Sequence, residues 1–310
     1  MSIPNETLST ARAEYTRDGF AILRNVVKSE VIEEAHRHLD WLGRRYPDLR
    51  PEHYHHPLMR DDAFWASLVT MPALLDIVEE FLGPDIACFT SHYICKPPGD
   101  GHAVLWHQDA GYWKLEPLRA ITVWVAIDPS TVENGCLWMV PGSHRLPLCC
   151  IKLRTDEANM LGSVVDLDAV PPEQTELANL DRQVPVELQP GDVSIHHPLI
   201  LHHSHANRSA RRRGGLDIGY TDTGVQIMNE GLYENPIVCR GSAKPGINRY
   251  RAWPTYHPEF SMTFCDRAAW DLRAAAANRL EYVQRSSADE PAYTMVQRMM
   301  RRIDAGTVRA

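Results

Sequence analysis

"VPVELQPGDVSIHHPLILHHSHANRSARRRGGLDIGYTD", Val184 to Asp222, alternates short β-branched runs with Gly, Pro, Asn and Asp. The same texture begins at Ile86 and continues through "IACFTSHYICK", "RAITVWVAID" and "CLWMVPGSH". Many short strands separated by turn signals predict an all-β sandwich or barrel. There is no alternation of helix and strand and no glycine-rich phosphate loop, which argues against a dinucleotide-binding fold.

Outside this core the periodicity becomes helical. "SEVIEEAHRHLDWLG" sets Val31, Ile32, Ala35, Leu39 and Leu42 on one stripe, with Ser29 as the expected N-cap and Gly43 as the expected stop. "MPALLDIVEEFLGPD" is a second amphipathic helix ended by Gly83-Pro84, and "GFAILRNVV" is a short β-prone run. The tail contains an alanine-rich helix within "EFSMTFCDRAAWDLRAAAANRLEYVQR" and another over "AYTMVQRMMRRI". The expected organisation is one domain over 1–310: a helical N-terminal part (1–85), a β core (86–220) and a mixed C-terminal extension with helices (221–310).

A net charge of −8, with no basic block beyond Arg211 to Arg213, argues against nucleic acid as the main partner. The seven cysteines form no CxxC pair and no even framework, so they read as small core residues in a reducing cytoplasm. No secretory leader and no apolar run long enough to span a membrane is visible.

The chemistry centres on "LWHQDAGYW", Leu105 to Trp113. On an extended backbone His107 and Asp109 point to one face, as a hydrogen-bonded pair or as two ligands to one metal. A third ligand could come from His196, His197, His202, His203 or His205. Two imidazoles and one carboxylate on one side of a metal form the facial triad of non-haem iron(II) oxygenases, which leaves positions open for a chelating cosubstrate and dioxygen. A dicarboxylate cosubstrate bound there would leave its far end needing a planar, permanently charged partner, the role arginine fills.

With "WHQDAGYW", "TVWVAIDPSTVENGCLWMVPGSHR" and "QPGDVSIHHPLILHHSHANRSARRR" in that order, the chain resembles the phytanoyl-CoA dioxygenase-like iron(II)/2-oxoglutarate oxygenases from about Tyr15 to Tyr220. The resemblance implies a double-stranded β-helix, a cupin-like jelly roll, mainly β with flanking helices. It implies iron(II) held by His107, Asp109 and His202, the last selected by the family's His-x-Ser-x-x-Asn-x-Ser/Thr register. It also implies Ser204 and Arg213 on the far carboxylate of 2-oxoglutarate, the arginine standing eleven residues after His202. Trp124 and His92 fall at cosubstrate-lining positions, and Tyr112 and Trp113 are candidates to face substrate. Some relatives place a lysine near the cosubstrate, whereas "EHYHHPLMRDDAFW" has none, which leaves His55 or His56 for that wall. His196 and His197 read as ordinary strand histidines, and Asn134-Gly135 as a plain turn.

The expected activity is hydroxylation of a small metabolite or natural-product intermediate, with succinate and carbon dioxide as co-products. Related halogenases lack the Asp109 carboxylate, so its presence favours hydroxylation, while desaturation, ring closure and epimerisation stay open. The rivals are an acyl-CoA hydroxylase of the same class and a metal cupin, isomerase or substrate-cleaving dioxygenase, that does not use 2-oxoglutarate. The partners expected are a small-molecule substrate and dioxygen, with no membrane; the oligomeric state is not legible.

Overall fold

A computed structural model describes residues 3–154, 156, 158–228, 236–280, 283–284 and 292–304. Two antiparallel sheets are built from β1 (Phe20–Leu23), β2 (Tyr54–His55), β3 (Ile86–Lys96), β4 (Val104–His107), β5 (Ala120–Ala126), β6 (Leu137–Met139), β7 (Val184–Val186), β8 (Val193–His196), β9 (His202–Ser204), β10 (Arg213–Asp222) and β11 (Ile237–Arg240). The larger sheet runs β1-β8-β5-β10-β3-β11, with β2 also paired to β3, and the smaller runs β7-β6-β9-β4. This is a jelly roll. Helices α1 (Asn5–Asp18), α2 (Ser29–Arg45), α3 (Ala63–Val69), α4 (Pro72–Leu82), α5 (Arg267–Ala277) and α6 (Ala292–Asp304) flank it.

Strand alternation divides the chemistry from the packing. On β10, Leu216, Ile218 and Tyr220 enter the main apolar cluster with Leu39 and Leu42 of α2 and Leu74 and Ile77 of α4. Arg213, Gly215, Asp217 and Gly219 take the opposite, inner face. On β5, Val123 and Val125 join the helical cluster, whereas Trp124 packs inward on Leu137 and Met139 of the smaller sheet. Burying all these outward aliphatics contributes about 1.5–3 kcal/mol per side chain and locks the register.

The sheet is wider than the 86–220 core expected from sequence, because β1, β2 and β11 are strands of it. Each lies in a stretch too short or too polar to announce a sheet position by itself. Ser29 is not the N-cap of α2: Lys28 takes that position without a side-chain bond, and the helix runs on through Gly43 to Arg45. The apolar stripe outweighs the helix cost of one glycine, about 1 kcal/mol. Gly83, by contrast, does end α4, at φ 82°. Among the described residues no helix is long and apolar enough to cross a membrane. All seven cysteines are free, with Cys88, Cys95, Cys136 and Cys239 buried.

Candidate metal and cosubstrate site

His107 closes β4, and Asp109 opens the short 3-10 turn Asp109–Tyr112 rather than continuing the strand. Gln108 between them keeps an extended backbone, φ −114° and ψ 130°, so the two side chains still share a side. His202 opens β9 directly opposite His107. One ligand atom from each of His107, Asp109 and His202 lies within 4.8 Å of the others.

The two imidazoles are oriented by the backbone. His107 Nδ1 lies 2.8 Å from the Leu105 carbonyl and His202 Nδ1 3.0 Å from that of Ile200. A carbonyl only accepts, so each Nδ1 donates and each Nε2 presents its lone pair inward. Both Nε2 atoms face Asp109 Oδ1, at 3.4 and 3.5 Å. Three lone-pair donors converging on one point fit a divalent cation of nitrogen and oxygen preference such as iron(II).

The other oxygen of Asp109 is held from the larger sheet. Oδ2 accepts from the Thr122 hydroxyl at 2.6 Å and faces His196 Nε2 at 3.1 Å. His196 Nδ1 is buried without a partner, so the proton belongs on Nε2, donating to the carboxylate. His196 is therefore not the ordinary strand histidine expected from sequence. Thr122 and His196 are register partners on β5 and β8, a cross-strand relation the sequence does not display. Burial opposes ionisation of Asp109, but in the metal-free protein a charge on His202, and protons on the histidine Nε2 atoms that face it, hold its carboxyl well below the usual range. Burial also opposes a proton on His202, and Asp109 outweighs it to raise that pKa.

The far end of the pocket is cationic. Arg213 is fully buried, its Nε donates to the Gly135 carbonyl at 3.0 Å, and its Nη1 and Nη2 have no partner. Its guanidinium lies 5.2 Å from the Trp124 ring centroid, and the Trp124 indole N–H is likewise buried without a partner. Burial pushes the arginine's pKa down to about 10. Unpaired buried donors of this kind are costly, and three of them together fit a carboxylate. Gly135 is more than a turn residue: at φ 82°, a Cβ there would meet the His205 carbonyl oxygen at 2.4 Å, so its carbonyl can face Arg213. Arg211 and Arg212 point elsewhere, to Glu133 and to Asp128.

Ser204 accepts from the Lys96 ammonium at 2.7 Å. Lys96 is fully buried and register-paired with Arg213. A lysine thus does stand beside the cosubstrate pocket, supplied by β3 and not by residues 52–65. His55 stacks on His92 with centroids 3.8 Å apart, and the His92 ring meets the Glu52 carbonyl. Burial drives the His92 pKa down to about 3. His92, Asp217 and Trp124 form one register row across β3, β10 and β5, so all three share the inner face. Asp217 alone among Arg213 to Thr221 is not fully buried, and burial, then the Asp109 charge, raises its carboxyl pKa.

Tyr112 sets its ring 6.1 Å from that of His107 and bonds Ser163 through its hydroxyl at 2.7 Å. Trp113 packs edge-on against Phe89 at 4.9 Å, beside Leu115 and Val225. His203 takes the outer face of β9, its ring tilted against that of Trp106 with centroids 4.0 Å apart. His197 packs near His144 and Tyr15.

The chain is similar to several known proteins. Over 137 residues the chain is 33% identical to "Phytanoyl-CoA dioxygenase 1" of Oryza sativa subsp. japonica, covering 44% of this chain and 45% of that protein. Over 232 residues it is 28% identical to "Probable phytanoyl-CoA dioxygenase" of Caenorhabditis elegans, covering 70% of each. Among solved structures, the apo form of the non-heme monooxygenase ThoJ superposes with a TM-score of 0.64 at 21% identity, covering 93% of this chain and 98% of that one. The alpha-ketoglutarate-dependent epimerase SnoN gives 0.59 at 20% identity, covering 83% and 98%. These two likenesses concern the fold. A family model described as phytanoyl-CoA dioxygenase matches residues 15–215, which take in the His107, Asp109 and His202 cluster and Arg213. The chain belongs to the phytanoyl-CoA dioxygenase family.

Proposed function

We propose that this protein is an iron(II)- and 2-oxoglutarate-dependent dioxygenase that hydroxylates an unactivated C–H bond of a small metabolite or natural-product intermediate. His107, Asp109 and His202 hold iron(II); Arg213, Ser204 and Trp124 take the far carboxylate of 2-oxoglutarate. When bound, the metal and cosubstrate supply the oxidising equivalents of dioxygen, with succinate and carbon dioxide as products. The chain keeps Asp109 ionised through Thr122 and His196, holds both imidazoles in the ligating tautomer, and leaves the rest of the metal's coordination open.

The observation that carries this reading is the fully buried Arg213, both terminal nitrogens without a partner, beside the unpaired Trp124 indole N–H. A metal cupin that does not use 2-oxoglutarate would have no use for such an anion pocket. Tyr112, its ring 6.1 Å from that of His107, is the candidate wall beside the metal. The free cysteines support a reducing compartment such as the cytoplasm.

The test is an anaerobic titration of metal-free protein with iron(II) and then 2-oxoglutarate, followed by visible absorption. A weak charge-transfer band is expected only with both, and is lost in Asp109→Ala and His202→Ala. Iron bound with no such band would overturn the 2-oxoglutarate assignment in favour of the plain metal cupin.

A further inference from the structure

Lys96 and Arg213 face each other across β3 and β10, and both are fully buried. Like charges directly opposite on paired strands repel, and a buried charge ordinarily has a counter-ion. Neither side chain forms an ion pair among the described residues. The lysine's three donors are taken up by Ser204 Oγ at 2.7 Å, the Ser204 carbonyl at 3.3 Å and the His205 carbonyl at 2.5 Å. Lys96 therefore has no donor left for a ligand, and it acts through what it holds.

Ser204 Oγ accepts from an ammonium, which can only donate, so the hydroxyl's own hydrogen must point away from Lys96. Gly135 ties the two cations into one pocket: its carbonyl accepts from Arg213 Nε, and a Cβ on it would lie 3.5 Å from Lys96 Nζ. We propose that Lys96 is a positioning residue for the cosubstrate's far carboxylate, turning the Ser204 hydroxyl into a donor and, with Arg213, selecting an oxo acid that carries a second carboxylate. This rests on the 2-oxoglutarate reading above. Burial and then the facing Arg213 lower the lysine's hold on its proton, a penalty that an arriving carboxylate relieves.

Iron-loaded, oxygen-free protein is titrated with 2-oxoglutarate and, separately, with 2-oxobutyrate, which keeps the chelating oxo acid and lacks the far carboxylate. The charge-transfer band gives each Kd, and a thermal melt with and without ligand gives a second readout. Lys96→Met is expected to raise the Kd for 2-oxoglutarate about 10- to 100-fold, the equivalent of one charge-assisted hydrogen bond, and to leave that for 2-oxobutyrate within about 2-fold. Ser204→Ala should weaken 2-oxoglutarate binding too, and the double variant should be no weaker than the weaker single, since the two residues act as one unit. Lys96→Gln, which keeps a donor but loses the charge, should fall between wild type and Lys96→Met, and it carries the test if the methionine variant does not fold. An unchanged Kd for 2-oxoglutarate, or an equal loss for both oxo acids, overturns the proposal. Wild-type protein that binds 2-oxobutyrate as well as 2-oxoglutarate instead overturns the reading on which it rests.

Discussion

At the scale of single residues, the site is two layers of different legibility. His107 and Asp109 could be proposed from their His-x-Asp spacing, and His202 and Arg213 only through the resemblance of their segment to the family's motifs. Thr122, His196 and Lys96 could not, because they meet their partners only through strand register, across separations such as the 13 residues between Asp109 and Thr122 or the 87 between Asp109 and His196. Thr122→Val removes a hydrogen bond to an ionised carboxylate and leaves the shape nearly intact. It should weaken iron(II) binding by about 10- to 100-fold, measured by competition with a chelator, while the thermal midpoint of the metal-free protein changes little. Arg213→Ala should weaken 2-oxoglutarate by about 10- to 100-fold, from the loss of roughly 1.5–3 kcal/mol. An unchanged isotherm would remove Arg213 from the site.

At the scale of elements, β10 carries the largest share of the design. One face anchors the helices through Leu216, Ile218 and Tyr220, and the other holds Arg213 and Asp217 with glycines between and beyond them. Gly215 is required by packing: a Cβ there would lie 1.9 Å from Cζ2 of the Trp124 ring. Gly215→Ala must push the indole off its seat beside Arg213. The expected result is a destabilisation of roughly 1–3 kcal/mol, read as a lower thermal midpoint, together with weaker 2-oxoglutarate binding. Strand runs such as "IACFTSHYICK" were legible because their β-branched and aromatic content coincides with β3 from Ile86 to Lys96. The ends of α2 were not, since the packing of its apolar stripe overrode both Ser29 and Gly43. Residues 53–65 pack into the fold as β2 and the start of α3 with the turns around them, whereas 225–253 includes residues 229–235, which lie outside the described residues.

For the whole molecule, acid sensitivity follows from histidines buried in neutral form. Burial drives both His56 and His92 down to about 3. In the unfolded chain they titrate near the ordinary histidine value of 6.5, so between these limits the unfolded state binds more protons. Their stabilisation is thus complete above about pH 6.5 and is lost as pH falls towards 3. Two such groups imply a loss of roughly 3 kcal/mol per pH unit in the middle of that window. Denaturant titrations of the metal-free protein at pH 5.5 and 4.5 check this; equal midpoints would contradict it. The pairing of β1 with β8 has a temporal consequence. Phe20 and Thr122 both lie beside His196, a residue of a much later segment, so the sheet closes only over very long sequence separations. Such topology folds slowly, because loop-closure entropy comes before the contacts that offset it. On the ribosome, His107 and Asp109 emerge long before His196 and His202 exist, so metal capture belongs to the last steps of the protein's birth.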